Sequence, residues 1–255
     1  LVEDADFFHF IQLPPEDAFG WKQRANQNNA VIEYVGTDVV AHATQVRAWH
    51  KETGVMGISG WDWMMLTVSG LPFMPYHFPA LYDVEGESAV PMWEKGTPFR
   101  ICHPTTNRAF KGTQTFLDAV DSLVKRGVDI EAVVIEGKPH RECLEIKRSC
   151  HATFDQFHGI YGVSAIESMA MGHAVVGGVS SWARSFFLDS PVLPATPPTL
   201  TDVIAALVAG GPEELRAHGA KALAYARKTH ALDVGAQRLS SLYDHLRHGH
   251  RLLTA

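Results

Sequence analysis

Two stretches of this sequence carry the residue types that hold a phosphorylated ligand. The first is 103–112, HPTTNRAFKG. It reads as the end of a strand, a polar loop that includes Asn107, and the start of a helix. Arg108 and Lys111 are expected to point into the crevice at the carboxyl edge of a parallel sheet, where doubly wound folds bind ligands. Two cations beside a helix N-terminus make a diphosphate site. The same residues also read as two surface cations on a loop.

The second stretch is 159–178, GIYGVSAIESMAMGHAVVGG. Gly162 falls where a loop turns into a helix, which leaves the amides of Val163 and Ser164 as unpaired first-turn donors. Such donors, together with the helix dipole, favour a phosphate. Glu167 lies about one turn further on, on the helix surface. A carboxylate there accepts hydrogen bonds from two vicinal ribose hydroxyls, as acidic residues do in other nucleotide folds. A plain sheet-packing helix with a solvated Glu and two turn glycines is the other reading. A third stretch, 135–140 (IEGKPH), holds Glu136 and His140 after another strand. Its backbone could read a nucleobase edge, or it is an ordinary loop.

These stretches need a scaffold that brings successive strand ends to one edge. Apolar runs predict strands over 5–12, 30–35, 55–59 and 71–74. A polar passage rich in Gly and Pro, 83–98, follows and reads as a linker. Beyond it, strands are expected over 99–103, 130–135, 152–157, 174–177 and 191–194. Helices are expected over 112–126, 139–149, 163–171, 200–209, 212–229 and 234–246. In the first of these, Phe116, Leu117, Val120, Leu123 and Val124 recur at helical spacing. Strands alternating with helices of this length imply a parallel sheet covered on both faces.

The 255 residues suit one large domain or two small ones. A composition 46% hydrophobic and 20% charged is that of a globular chain. No run of 18 apolar residues marks a membrane-spanning helix. No basic segment followed by an apolar one opens the chain as a signal peptide would. With Leu1 first and a strand beginning almost at once, a native N-terminal piece is expected to be missing from this numbering. Cys102, Cys143 and Cys150 form an odd, sparse set, as expected of reduced thiols in the cytoplasm. They lack the spacing of a zinc site, and no metal is expected. The net charge of −6 is uneven: residues 1–95 hold 5 Lys and Arg against 13 Asp and Glu, residues 96–255 hold 17 against 15. The acidic first part is a poor match for a nucleic-acid backbone or an anionic membrane.

Taken together, FRICHPTTNRAFKGTQTFLDAV, GIYGVSAIESMAMGHAVV and the run from PPTLTDVIAALV to RKTH resemble the retaining glycosyltransferases of family four, which have the GT-B fold. The resemblance covers residues 99–246 well and the first part loosely, through ADFFHFIQ, VIEYVGTDVV and VMGISGWDWMM. It implies an α/β architecture of two Rossmann-like domains with parallel sheets, the first short or truncated. The expected divisions are 1–85 for an acceptor-side domain, 86–98 for the linker and 96–235 for the donor domain. Residues 236–255 are then a helix returning toward the first domain.

The resemblance also implies roles. Arg108 and Lys111 grip the donor diphosphate, and Glu167 binds the donor ribose. Gly159 stands where the family carries the first glutamate of its motif, near the donor sugar. Asp155, Gln156 or His158 could supply the missing polar contact. Gly36, Thr37 and Asp38 resemble a loop facing the donor sugar, with His9 a further candidate. Arg108, Lys111 and Asp38 are the expected catalytic set. Glu167, Gly162, Val163, Ser164, Gly159, Tyr161, Asn107, Glu136 and His140 are the expected donor-binding set. The implied reaction moves a hexose from a nucleoside diphosphate sugar, UDP-sugar favoured, to an acceptor hydroxyl with retention and without a metal or other cofactor. Two alternatives remain: a transferase acting on hydroxymethylated bases in DNA, and a nucleotide-sugar-binding protein without transfer.

Overall fold

A computed structural model of the chain describes residues 5–11, 24–34, 41–59, 73–75, 93–94, 96–186 and 189–248. The chain divides into two units, Leu1–Phe78 with Asp233–Ala255, and Pro79–Leu232.

The first unit is built on strands β1 (Phe8–Ile11), β2 (Ala30–Glu33), β3 (Met56–Ser59) and β4 (Phe73–Pro75), all parallel in that order. Alternation along β2 explains why both faces are covered. Ala30 and Ile32 pack with Phe8, Val46 and Val55 on one side, where helix α1 (Ala43–Thr53) lies. Val31 packs on the other side with Ile58, Leu242 and Leu246, the last two from helix α9 (Leu232–Arg247). No expectation named α1. Its apolar stripe is thin, with Val46 and His50 as the buried positions, and His50 is held by the Tyr34 hydroxyl at 2.7 Å.

The second unit carries strands β5 (Phe99–Pro104), β6 (Ile130–Ile135), β7 (Ala152–Phe154), β8 (Ala174–Gly177) and β9 (Leu193–Pro194). All are parallel, and their order is β6-β5-β7-β8-β9. On one face Phe99, Ile101, Phe154 and Val176 pack against α3 (Thr113–Lys125) and α7 (Leu200–Ala209) through Phe116, Val120, Leu123, Leu200 and Ile204. On the other, Cys102, Ile135 and Cys150 meet α4 (His140–Arg148) at Cys143 and Ile146.

Among the boundaries that differ from expectation, three bear on the site. The helix expected over 112–126 is preceded by a separate turn, α2 (Arg108–Lys111), because Gly112 takes φ +73 between the two. The strand expected over 152–157 stops at Phe154, where Asp155 leaves the sheet. Pro139 stands just before α4, at the N-cap, rather than within it. A short helix, α6 (Ser181–Phe186), was not expected, and α5 (Val163–Ala170) and α8 (Gly211–His230) complete the unit.

Candidate functional site

The strand order of the second unit reverses between β5 and β7. The connections that leave their carboxyl ends diverge there and open a crevice, the usual ligand position in an open α/β sheet. The β5 connection leads into α2 and the β7 connection into α5, so both phosphate-type stretches arrive at this switch point. His103, at the end of β5, ties the floor together. Its Nδ1 donates to the Phe154 carbonyl at 3.0 Å and its Nε2 accepts from the Thr113 hydroxyl at 2.8 Å. Burial pushes its pKa down to about 4, so the ring is a neutral strut.

Asp155 is the hub. It is almost fully buried; Oδ1 meets the Lys111 ammonium at 3.1 Å and Oδ2 accepts from the Gly162 amide at 2.7 Å. Lys111 also donates to the Pro104 carbonyl at 3.3 Å. One carboxylate therefore fixes the cation and the start of α5 together. Gly162 is the N-cap, in extended geometry, and no side chain caps this end. The first-turn amides of Val163 and Ser164 are then donors that the helix cannot satisfy itself. The 155–159 loop is pressed against the end of β8: the Gly178 amide donates to the Gln156 carbonyl at 2.7 Å. A Cβ at Gly178 would lie 2.1 Å from the Phe157 carbonyl, so only glycine fits.

Glu167 is buried, which corrects the expectation of a helix-surface carboxylate. Its Oε2 meets the Lys147 ammonium at 2.5 Å and its Oε1 meets His140 Nε2 at 2.7 Å. Lys147 also donates to the Ser164 carbonyl at 2.9 Å and hydroxyl at 2.8 Å. Polar contacts thus run from Lys111 through Asp155 to Gly162. Across the first turn of α5 they resume from Ser164 through Lys147 to Glu167 and His140. Lys147 was not anticipated. Its signal was spacing: His140, Cys143, Leu144 and Lys147 share one helical face, and Leu144 and Lys147 on that face are buried.

The remaining expected residues are dispersed. Arg108 does not join Lys111 on one partner. It is exposed and paired with Glu136 at 2.8 Å, because α2 is a single turn that sends its two cations to different neighbours. Asn107 accepts from the Phe110 amide at 3.0 Å and so caps α2. Tyr161 turns inward: its hydroxyl meets Tyr225 at 2.7 Å and His230 at 3.0 Å, which ties the loop to α8. The Gly159 carbonyl accepts from the Ser180 amide at 3.0 Å. Of the residues named as replacements for the missing glutamate, Gln156 is buried and donates to the Ile160 carbonyl at 2.9 Å. His158 is exposed, stacked on Phe110 and bonded to its carbonyl at 2.8 Å. Gly36, Thr37 and Asp38 lie outside the described residues. In the first unit, His9 meets the Tyr243 hydroxyl at 2.5 Å and Glu33 at 3.1 Å.

Arg108, Lys111 and Lys147 each pair with a carboxylate, Glu136, Asp155 and Glu167 in turn. Among the described residues no group of three or more His, Cys, Asp and Glu could hold a metal ion. No helix of the described residues is long and apolar enough to cross a membrane.

No family model matches the chain, and no curated protein matches it. Solved structures do. A UDP-glucose complex of HepE from Anabaena matches with a TM-score of 0.63 at 10% identity, over 88% of this chain and 74% of that one. A TarM variant from Staphylococcus aureus, solved with UDP, matches at 0.61 and 12% identity, over 86% of this chain and 52% of its own. An alpha-glucosyltransferase solved with UDP and a 13-mer DNA matches at 0.59 and 10% identity, over 96% and 81%. The chain spans about half the length of the TarM chains it matches. These likenesses establish the architecture: the chain has the GT-B fold, with Rossmann-like units built on parallel sheets.

Proposed function

We propose that this chain is a glycosyltransferase, or the donor-binding part of one, that takes a sugar from a nucleoside diphosphate sugar. The observation that carries the reading is the junction at the β5/β7 switch point. There Lys111 and the uncapped start of α5 are locked together by Asp155, and Glu167 follows one turn later. In this reading the diphosphate lies on the amides of Val163 and Ser164 with Lys111 beside it, and Glu167 takes the ribose. Gly162, Gly159 and Tyr161 contribute through the backbone. Asn107 holds the turn that presents Lys111, while Glu136 and His140 border the nucleoside side.

Negative charge grows on the departing diphosphate as the glycosidic bond breaks. Oriented amides and an ammonium held in place before the reaction stabilise that charge without reorganising. Lys111, with three protons and two protein acceptors, keeps a donor for this purpose. Arg108, exposed and paired with Glu136, is an outer contributor, and Asp38 remains a candidate from the first unit. UDP is the favoured nucleotide, since UDP or a UDP-sugar is bound in the HepE, TarM and alpha-glucosyltransferase structures. Independence from metals follows from a leaving group held this way, and the retention of configuration that the family resemblance implies is part of the same proposal. Three free thiols fit a reducing compartment such as the cytoplasm.

A second acceptor class, a hydroxymethylated DNA base, is favoured by one observation, the alpha-glucosyltransferase solved on DNA. The acidic first part of the sequence weighs against it. The experiment is release of UDP from a panel of UDP-sugars in excess EDTA, with carbohydrate acceptors and hydroxymethylated DNA in separate arms. Sugar transfer in either arm supports the reading and names the acceptor class. Binding of a UDP-sugar without transfer in any arm overturns the transferase assignment in favour of a binding protein.

A further inference from the structure

Lys147 is among the largest side chains that the fold hides completely. Its three ammonium protons are matched by three acceptors: the Ser164 carbonyl, the Ser164 hydroxyl and Glu167 Oε2. Burying an ammonium against a carboxylate carries a desolvation penalty, and a well-packed apolar pair ties two helices at least as firmly. A strut between α4 and α5 therefore does not require a lysine here. A fixed carboxylate does.

We propose that Lys147 is the positioning residue for the nucleoside side of the donor site, holding the Glu167 carboxylate in one orientation beside the first turn of α5 so that the site distinguishes a ribose from a sugar without its hydroxyls. The inference rests on the donor-site reading above. His140 and Lys147 are seven residues apart on one face of α4, roughly 10 Å along its axis. They hold the two oxygens of Glu167 from the two ends of that helix. Carboxylate oxygens accept more than one hydrogen bond each, so a protein donor on each oxygen fixes the group without disqualifying it as an acceptor. The same ammonium holds Ser164, whose amide belongs to the first turn expected at the diphosphate. Lys147 thus sets the spacing between the phosphate end and the ribose end of the site.

The test is calorimetric titration of the full chain with UDP and with 2′,3′-dideoxyuridine diphosphate. The two share every phosphate contact, so their affinity ratio reports the hydroxyls alone. The unaltered protein is expected to prefer UDP by about tenfold or more, the effect of hydrogen bonds to a charged group. Lys147→Met and Glu167→Gln are each expected to shrink the ratio to about threefold or less. The double variant, which removes the buried charges together and so avoids leaving one unpaired, is expected to show the ratio of Glu167→Gln alone, because both changes act on one group. A Lys147→Met protein, or a double variant, that keeps the full preference overturns the inference while leaving the donor site in place. No preference in the unaltered protein removes the ribose role of Glu167 and this inference with it. No UDP binding at all overturns the donor-site reading itself.

Discussion

Asp155 accepts hydrogen bonds from two sides, from the Lys111 ammonium and the Gly162 amide, and it does so almost fully buried. Asn has the same shape but would turn an NH2 group toward one of those donors. Asp155→Asn is expected to lower stability by about 2–3 kcal/mol, the penalty of a buried polar group left against the wrong partner. Urea denaturation measures it, and an unchanged midpoint would mean that the hub is not built as described. Glu167→Ala is likewise expected to destabilise the fold, by about 3 kcal/mol or more, because it strands the Lys147 charge in the interior. A nucleotide-binding defect in that variant has to be read beside Glu167→Gln. Lys111 and Glu167 were visible in the sequence because each sits beside a loop-to-helix junction, where the chemistry of a helix start is readable. Lys147 was not. In HRECLEIKR a lysine among charges reads as solvent-facing, and its helical spacing from Leu144 is a weaker sign than the partners in α5 that hold it.

The crevice depends on how closely α5 and the loop before it approach their neighbours. At the far end of α5, Gly172 takes φ +78, and a Cβ at Gly219 of α8 would lie 2.1 Å from the Gly172 carbonyl. Gly219→Ala is expected to push α8 away and lower stability by about 1–3 kcal/mol, in line with overpacking. A thermal melt equal to that of the unaltered protein would show that the helices have slack. Two buried histidines also join elements: His103 links β5, β7 and α3, and His173 bonds Thr153 of β7 at 2.8 Å. Burial lowers their pKa values from 6.5 to about 4 and about 3. Below pH 6.5 the unfolded chain takes up protons that the native one refuses. Stability is therefore full above about pH 6.5 and falls toward pH 4, by about 1.4 kcal/mol per pH unit for each histidine. Melts at pH 7 and pH 5 check this, and equal stability would contradict it. The strands β5, β6 and β8 were legible because continuous apolar runs between turn signals leave few alternatives. The helix α1 was hidden by a thin apolar stripe, and the break at Gly112 by a helical period that continues across it.

At the scale of the whole molecule, the uneven charge of the sequence and the parallel sheets point the same way. The near-neutral second part carries the crevice, and the switch in its strand order decides where that crevice opens. The parallel α/β layering was legible because strand and helix alternate at a regular length, and the GT-B architecture through the family resemblance of residues 99–246. The strand order was not, since it depends on packing between segments far apart in sequence. Lys111 keeps a donor beyond those used on Pro104 and Asp155, and the uncapped start of α5 adds the amides of Val163 and Ser164. Binding should then depend on the phosphates more than on the nucleoside. The central claim is tested most directly by thermal shift with UDP and with uridine at equal concentration, in EDTA. A ligand that binds only the native state stabilises it by mass action. UDP is expected to raise the melting temperature by several degrees, with uridine giving little or no shift and EDTA making no difference. Equal shifts from uridine and UDP, or a UDP effect that vanishes in EDTA and returns with Mg²⁺ or Mn²⁺, would contradict a diphosphate site made of Lys111 and the first turn of α5.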